Sequence, residues 1–288
     1  MGDFISADLA KRDAINGDKY YQETSPLQRT STRYEVTNCL FAGRTQYADT
    51  VIVSNPDYGN MLFLDGELQS TSYDEAIYHE TLVHPILNAL NNTDDKTVLV
   101  VGGAEGATVR EVLRWGPNKV HHVDWVDIDG GLVNLCQENL KYVDNSVYAH
   151  RNVTFYGLDI MEFLRDGDKC YDCIIIDLPD PDPSDTILYG AEFWKLIYGS
   201  LKIGGGISTH CGPVEPGLGR QSGLDIVRSG SQNSGFPYHT FIPSFQSEWG
   251  FWMSLPPGSN NDFPQECSVV SNEYQDTIFK WNKHWKVN

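Results

Sequence analysis

A short acidic segment has the composition of a site for a positively charged group. The segment DLPDPDPSD carries Asp177, Asp180, Asp182 and Asp185, with prolines between them. Proline fixes its own backbone torsion angle, so the loop cannot relax far away from its charges. Crowded carboxylates bind cationic nitrogen, although a Mg²⁺ or Ca²⁺ site and a solvated loop are alternatives. Because the spacing and the glycine of a calcium loop are absent, we expect no metal here.

Three further segments have the pattern of a nucleoside site. The segment GGAEGA follows a β-like run, and its Gly102, Gly103 and Gly106 permit a tight turn and the close approach of a ligand. Asp127 ends the next β-like run, where a carboxylate can accept hydrogen bonds from both hydroxyls of a ribose. Asp159 ends a third run, where an acceptor can reach the amino group of adenine. The alternatives are a plain turn, an exposed aspartate and a helix cap.

Two other groups of residues are weaker candidates. His79 and His84 lie five positions apart in YHETLVH, whereas a zinc-protease helix needs histidines four positions apart to place both rings on one face. This spacing excludes that class of site. Trp249, Phe251 and Trp252 are expected in the core, and the alternative is that one of them, with Trp249 as the candidate, lines a binding pocket.

The hydrophobic periodicity predicts the elements that must position these residues. Short β-rich runs between residues 33 and 72 indicate an antiparallel unit of three or more strands. A helical pattern begins at Asp74 and Glu75, since acidic residues suit a helix N-terminus. Strands then alternate with helices from residue 97, and YHTFIPSF and EWGFWMSL indicate a closing antiparallel pair.

The predicted fold class is therefore α/β. We expect a Rossmann-like, methyltransferase-type doubly wound sheet at residues 74–288 and a small N-terminal antiparallel β domain at residues 1–73. Ligands of such sheets bind beyond the carboxyl ends of the strands, which is where the acidic and glycine segments lie.

The composition restricts the partners and the compartment. The chain has 39 acidic and 21 basic residues, a net charge of −18, which repels nucleic acid and attracts a cationic ligand, or serves solubility alone. No run of about 18 apolar residues is present, so we expect no membrane span. Because no apolar leader is visible and the cysteines are few, we expect a cytoplasmic protein with reduced thiols.

Taken together, the motifs resemble those of the polyamine aminopropyltransferases, the spermidine synthase family. The strongest match is LDGELQSTSYDEAIYHE, which is similar to the family's LDG-x-x-Q segment and the DE-x-x-YHE helix after it. GGAEGATVREVL resembles the family's glycine segment, DID its ribose motif, LDIMEFL its adenine segment and DLPDP its D-x-x-D-P loop. Glu105, the DID motif and the ending IPSFQSEWGF are most similar to the thermospermine synthase branch.

The resemblance implies an enzyme that transfers the aminopropyl group of decarboxylated S-adenosylmethionine to a di- or polyamine and releases methylthioadenosine. Alkylamines are mostly protonated at neutral pH, so the attacking amine needs a base. By the family pattern Asp177 accepts this proton and Tyr78 orients the attacking nitrogen. The other implied roles are binding of the amine by Asp180, Tyr78, His79 and Trp249, and binding of the donor by Gln69, His79, Gly102, Gly103, Glu105, Asp127, Ile128, Asp159 and Ile160.

Four positions depart from the family pattern. Ala104 replaces the third glycine of the nucleoside turn, and Ala48 stands where a glutamine is usual unless the register shifts to Gln46. Pro179 stands where small residues are usual in the family. His210 stands where the family usually has a glutamine, after the fifth strand. Each change lies close to the expected nucleoside or acceptor, so the sequence favours an altered donor or acceptor.

Two alternative functions stay open at this point. One is an amine N-methyltransferase that uses intact S-adenosylmethionine, although Glu105 would repel the α-carboxylate of that donor. The other is a non-catalytic homologue that binds methylthioadenosine or a polyamine, against which the retained Tyr78, Asp177 and Asp180 weigh. The resemblance also implies a homodimer or homotetramer, with the N-terminal β unit near the interface.

Overall fold

The computed structural model describes residues 19–25, 30–90, 94–165, 169–183, 187–214, 222–231, 235–254 and 277–280. Its contacts divide the chain into two compact units. The first unit comprises Met1–Glu75, Ala104–Gly106 and Asp129–Tyr148, and the second comprises Ala76–Gly103, Ala107–Ile128 and Ala149–Asn288. The domain boundary expected at residue 73 stays a prediction.

The helices and strands are numbered in chain order. They are β1 (Tyr20–Ser25), β2 (Thr30–Glu35), β3 (Asn38–Arg44), β4 (Asp49–Asn55), β5 (Gly59–Leu64), β6 (Glu67–Thr71), α1 (Glu75–Ala89), β7 (Lys96–Gly102), α2 (Ala107–Leu113), β8 (Val120–Val126), α3 (Gly130–Asn139), β9 (Val153–Tyr156), α4 (Ile160–Arg165), β10 (Tyr171–Asp177), α5 (Ala191–Gly199), β11 (Leu201–Pro213), α6 (Ser222–Gly230), β12 (Phe236–Ile242) and β13 (Ser247–Ser254).

The first unit is built on two antiparallel sheets. Strands β1 and β2 form a pair, and β3 to β6 form a four-stranded sheet in sequence order. The side chains of Ile52, Met61 and Leu62 are fully buried in this unit because apolar residues follow one another along β4 and β5. The predicted small antiparallel β domain is confirmed, and its last strand ends at Thr71.

The second unit contains a seven-stranded sheet with the strand order β12-β13-β11-β10-β7-β8-β9. Strands β7 to β11 pair in parallel, whereas β13 is antiparallel to β11 and β12. This arrangement confirms the Rossmann-like doubly wound sheet and its closing antiparallel pair. Alternate side chains of a strand point to opposite faces, so both faces of this sheet need a cover.

Helices cover the sheet on both faces. Leu99 and Val101 of β7 pack into one cluster with side chains of α4, α5 and α6. On the other face the Ser208 hydroxyl of β11 donates to the carbonyl oxygen of Leu82 in α1 at 2.8 Å. The apolar runs of the parallel strands are therefore buried on both sides, as the sequence of β10, YDCIIID, indicates.

The strand order reverses beside β7, and this reversal fixes where ligands can bind. From β7 the chain continues outward through β8 and β9, and it then returns to the other side of β7 with β10. In doubly wound sheets the crevice at such a switch point, beyond the carboxyl ends of the strands, is the ligand site. Gly102 and Asp177 are paired at the ends of β7 and β10.

Two elements were not indicated by the sequence pattern, namely β1 and α6. The described part of the chain has no helix that is long and apolar enough to cross a membrane. The cysteines at 39, 136, 173 and 211 are buried, and Cys170 is exposed.

Candidate active site

The carboxylate of Asp177 is held by two hydroxyl groups. Its Oδ1 accepts a hydrogen bond from the Tyr78 hydroxyl at 2.7 Å, and its Oδ2 accepts one from the Thr108 hydroxyl at 2.5 Å. Tyr78 comes from the first turns of α1, and Thr108 from the first turn of α2. A carboxylate has about four lone-pair positions, so acceptor capacity is left for a substrate. Asp177 is therefore oriented and still able to bind an N–H group.

The glycine turn after β7 lets the end of β10 come close. The Gly103 N–H donates to the Asp177 carbonyl oxygen at 2.9 Å. A Cβ atom at Gly102 would lie 2.1 Å from that oxygen, and one at Gly103 would lie 2.8 Å from Asp177 Oδ2. Both glycines also have positive φ angles, of 81° and 69°, which disfavour other residues. The close approach of Asp177 therefore requires glycine at both positions.

Tyr78 is a hydrogen-bond donor over the whole neutral pH range. Burial raises the pKa of its phenol well above the ordinary value, and the neighbouring Asp177 carboxylate raises this pKa further. The Tyr78 ring lies 5.6 Å from the Phe251 ring and 5.0 Å from the ring of the buried His79, measured between centroids. Aromatic packing therefore fixes the side chain that orients Asp177.

A second cluster lies after Asp177 in the acidic loop. The Asp180 carboxylate Oδ1 is 3.6 Å from Nδ1 of His210, a residue of β11. His210 stacks on Trp249 of β13, with centroids 6.3 Å apart and planes 17° apart. The Asp180 side chain is 48% exposed, so its carboxylate remains accessible to a ligand. Asp182 is exposed, and Asp185 lies outside the described residues.

The residues predicted to bind the nucleoside follow β8 and β9. Asp127 comes directly after β8, and its N–H donates to the Tyr156 carbonyl oxygen at 3.1 Å. Asp159 Oδ1 accepts from the N–H groups of Met161, at 2.7 Å, and Glu162, at 3.3 Å, so it caps helix α4. Ile128 is exposed and Ile160 is buried. The helix cap that the sequence left open for Asp159 is thus present.

Gln69 and Glu105 lie in the first unit. The Gln69 side chain is exposed, and its Nε2 donates to the Glu67 carbonyl oxygen at 3.2 Å. Glu105 Oε1 accepts from the Tyr142 hydroxyl at 3.5 Å, and its carbonyl oxygen accepts from the Tyr148 hydroxyl at 2.5 Å. Burial and the Glu105 charge raise the pKa of Tyr142 well above its ordinary value, which keeps this phenol a donor.

The structure brings the predicted catalytic and amine-binding residues, and two of the predicted donor-binding glycines, together in the second unit. These are Tyr78, His79, Gly102, Gly103, Asp177, Asp180 and Trp249. Sequence reasoning missed Thr108, although a hydroxyl residue in the first turn after the glycine segment is a recognisable signal.

Among the described residues, no group of three or more His, Cys, Asp or Glu side chains is placed to hold a metal ion.

Comparison with known proteins gives the family of the chain. Residues 75–264 match the spermine/spermidine synthase domain, and residues 19–72 match the spermidine synthase tetramerisation domain. The chain belongs to the spermine/spermidine synthase family. A polyamine aminopropyltransferase of Synechococcus sp. (strain JA-3-3Ab) is 31% identical over 251 residues, which are 85% of this chain and 80% of that protein. Polyamine aminopropyltransferase 2 of Bacillus anthracis is 36% identical over 76% of this chain and 60% of its own length.

Solved structures of the spermine/spermidine synthase family have the same fold. A spermidine synthase in complex with the transition state analogue AdoDATO superposes with a TM-score of 0.81 at 22% identity. The spermidine synthase of Thermotoga maritima superposes with a TM-score of 0.79 at 21% identity. Each comparison covers 92% of both chains. The predicted Rossmann-like fold with an N-terminal β domain is therefore confirmed.

Proposed function

We propose that the chain is a polyamine aminopropyltransferase. It transfers the aminopropyl group of decarboxylated S-adenosylmethionine to a di- or polyamine and releases methylthioadenosine. The observation that carries this proposal is the Asp177 carboxylate, held by the Tyr78 and Thr108 hydroxyls at the switch point of the sheet. Such a carboxylate can bind an ammonium group in a fixed orientation and then take its proton.

The proposed reaction is one nucleophilic displacement. The ammonium group of the acceptor gives a proton to Asp177, and the free amine attacks the aminopropyl carbon bonded to the sulfonium. The new C–N bond forms as the C–S bond breaks, and the bonding pair stays on sulfur to give neutral methylthioadenosine. Tyr78 is the positioning residue, because its hydroxyl holds the carboxylate through Oδ1.

The donor is assigned to the residues that follow the strands. We assign the ribose hydroxyls to Asp127 and the adenine amino group to the Asp159 oxygen that does not cap α4. Gly102 and Gly103 expose backbone to the nucleoside, and Ile128 and Ile160 offer apolar contacts. Gln69, His79 and Glu105 keep their predicted role at the aminopropyl end, and Asp180 and Trp249 keep theirs at the acceptor.

The remaining expectations concern assembly and compartment. We propose that the chain forms a homodimer or homotetramer through residues 19–72, the segment that matches a tetramerisation domain. Size-exclusion chromatography with light scattering tests this, and a monomer at micromolar concentration would contradict it. The net charge of −18 suits a cationic acceptor rather than nucleic acid, and the cytoplasm remains the expected compartment.

Mass spectrometry of the products tests the proposed function. The purified protein is incubated with a panel of di- and polyamines and with either decarboxylated or intact S-adenosylmethionine. We expect methylthioadenosine and an amine heavier by one aminopropyl group, formed only with the decarboxylated donor. The position of the new group tests the predicted thermospermine branch. Methylated amine with the intact donor, or no turnover with either, would contradict the proposal.

A further inference from the structure

Two tyrosines that follow α3, Tyr142 and Tyr148, hold Glu105 from two sides. The Tyr148 hydroxyl donates to the Glu105 carbonyl oxygen at 2.5 Å, so it fixes the backbone of this residue. The Tyr142 hydroxyl donates to Oε1 of the Glu105 carboxylate at 3.5 Å. All three residues belong to the first unit. The backbone and the side chain of Glu105 thus each have a phenol donor.

The chain directly after Glu105 leaves room for the Tyr148 ring. A Cβ atom at Gly106 would lie 3.1 Å from Cζ and 3.2 Å from the hydroxyl oxygen of Tyr148. Contacts this short are rare for a Cβ atom, so a side chain at position 106 would press on the ring. The ring therefore packs against bare backbone, and the Glu105 side chain projects from a fixed point.

The Tyr142 hydroxyl is itself oriented by Ser70. The Ser70 hydroxyl oxygen lies 2.8 Å from that of Tyr142. A carboxylate only accepts hydrogen bonds, so the single phenol hydrogen points to Glu105 and Ser70 donates to the phenol oxygen. The order of donation is from Ser70 to Tyr142 to Glu105. Ser70 directly follows Gln69 in β6, so both residues belong to the strand that supports this chain of hydrogen bonds.

Tyr142 orients the Glu105 carboxylate without neutralising it. Partial burial and the Glu105 charge raise the pKa of Tyr142 well above its ordinary value, so the phenol keeps its proton at neutral pH. A lysine or arginine in its place would bind the carboxylate more strongly but would cancel its charge. A neutral donor instead leaves the negative charge for a cationic ligand.

We propose that Tyr142 is a positioning residue that holds Glu105 ready for the ammonium group of the decarboxylated donor. This inference rests on the proposed function, which places the aminopropyl end of the donor at Glu105. It adds a residue from the segment after α3, which none of the motifs includes. Methylthioadenosine lacks the aminopropyl group, so Tyr142 should matter for binding of the donor and not for binding of this product.

Calorimetric titration with both ligands tests this selectivity. Tyr142→Phe removes the hydroxyl and keeps the ring. We expect the Kd of decarboxylated S-adenosylmethionine to rise about fivefold, the effect of one lost hydrogen bond, and that of methylthioadenosine to change less than about twofold. The exposed Tyr20 supplies the matched control, since Tyr20→Phe should change neither Kd.

A double-mutant cycle shows whether Tyr142 acts through Glu105. Glu105→Ala should raise the donor Kd by itself, because the partner of the ammonium group is lost. Adding Tyr142→Phe to Glu105→Ala should then change the donor Kd by less than about twofold, since no carboxylate is left to orient. A rise of about fivefold in both backgrounds would show that Tyr142 does not act through Glu105, and it would overturn the inference.

Ser70→Ala is a second variant that leaves both tyrosines in place. It removes the donor to the Tyr142 oxygen, and we expect a smaller rise of the donor Kd, about threefold, again without an effect on methylthioadenosine. An equal rise for the two ligands, which a purely structural change would cause, or no rise for either would overturn the inference.

Turnover by the wild type tests the proposed function separately. If the wild type transfers the aminopropyl group and Tyr142→Phe binds both ligands as the wild type does, only the inference fails. If the wild type neither binds nor turns over the decarboxylated donor, the proposed function fails together with the inference.

Discussion

At the scale of single residues, the site depends on keeping one carboxylate both oriented and available. The two hydroxyl donors on Asp177 restrict its rotation, because each oxygen is held from a different helix. The raised pKa of Tyr78 means that its phenol stays protonated and keeps donating throughout the working pH range. The proposed base is therefore preorganised by uncharged partners, which leave its negative charge for the acceptor ammonium group.

Replacing Asp177 tests its role as the base. We expect Asp177→Asn to keep the fold and to lower kcat by about 10²–10⁴-fold, because the acceptor amine loses its proton acceptor. Product formation by mass spectrometry and the melting temperature are the two measurements. Asp182→Asn, an exposed change in the same loop, should retain activity. Wild-type kcat in Asp177→Asn would remove this residue from the mechanism.

Replacing Tyr78 tests whether orientation of the carboxylate matters. Tyr78→Phe removes the hydroxyl that donates to Asp177, and we expect kcat to fall about tenfold with little change in melting temperature. Steady-state kinetics with saturating donor and acceptor measure this. The exposed Tyr73 provides the matched control, Tyr73→Phe, which should behave as the wild type. A purely structural role would lower the melting temperature and leave kcat intact.

At the scale of elements, the ends of two strands and the starts of two helices build the site. The turn between β7 and α2 approaches the end of β10 so closely that side chains are excluded from Gly102 and Gly103. Further along α2, the buried Glu111 accepts hydrogen bonds from Arg114 at 2.8 Å and from Arg110 at 2.7 Å. Glu111 also lies 3.0 Å from Nε2 of His84 in α1. This ionic cluster joins the helices that carry Tyr78 and Thr108.

The close approach at the turn predicts that alanine destabilises the protein more at Gly102 than at Gly116. Gly102 and Gly116 both have positive φ angles, of 81° and 77°, but a Cβ at Gly116 would meet nothing within 4 Å. We expect Gly116→Ala to cost about 1–2 kcal/mol of stability from backbone strain alone. Gly102→Ala should cost several kcal/mol more and abolish activity. Urea unfolding of both variants measures this, and equal losses would mean that the turn adapts.

The ionic cluster predicts a pH-dependent contribution to stability. Burial alone would raise the pKa of Glu111, but the His84 hydrogen bond and the charges of Arg110 and Arg114 outweigh burial, so the net effect lowers this pKa. The folded state thus gains stability above the ordinary glutamate pKa of about 4.3 and loses it as the pH falls through the lowered value.

We therefore expect Glu111→Gln to cost about 3–5 kcal/mol at pH 7, and the difference from the wild type to shrink below about pH 4. Urea unfolding at fixed protein concentration measures both. The exposed pair Arg165 and Glu192 supplies the control, since Glu192→Gln should cost less than about 1 kcal/mol. A loss that is the same at every pH would show that Glu111 acts by packing rather than by charge.

The same elements show what the sequence could and could not predict. The strands of the parallel sheet were predictable because apolar runs end in aspartate or glycine, which also marked Gly102, Asp127 and Asp177. Strand β1 is polar and has no alternation. The helix α6 is amphipathic but has only nine residues, with serine and glycine at both ends, which are typical of a loop. The contact of His210 with Asp180 joins residues 30 positions apart and depends on the register of β10 and β11.

At the scale of the whole molecule, the charge of the protein is opposite in sign to that of its amine substrate. A net charge of −18 raises the local concentration of cations around the protein, and a polyamine acceptor is a multiply charged cation. Salt screens this attraction over a Debye length of about 8 Å at physiological ionic strength. The long-range field therefore acts on capture of the acceptor and not on the displacement itself.

The charge predicts a selective effect of salt. Raising the ionic strength from about 0.05 M to about 0.5 M should lower kcat/KM for the acceptor several-fold and leave kcat nearly unchanged, because only the encounter is screened. Initial rates at varied acceptor concentration measure both parameters. The effect should grow with the number of positive charges on the amine. A salt-independent kcat/KM would show that the field plays no part in capture.

The glycine turn and His210 also differ in how readily a single mutation can replace them. Every single-nucleotide change of a glycine codon that alters the amino acid introduces a side chain, and at Gly102 that side chain meets the Asp177 backbone at 2.1 Å. Codons for glutamine and histidine, in contrast, are separated by one third-base change. A single mutational step can therefore change the side chain that lies beside Asp180, while the turn that packs against Asp177 has no such neighbouring step.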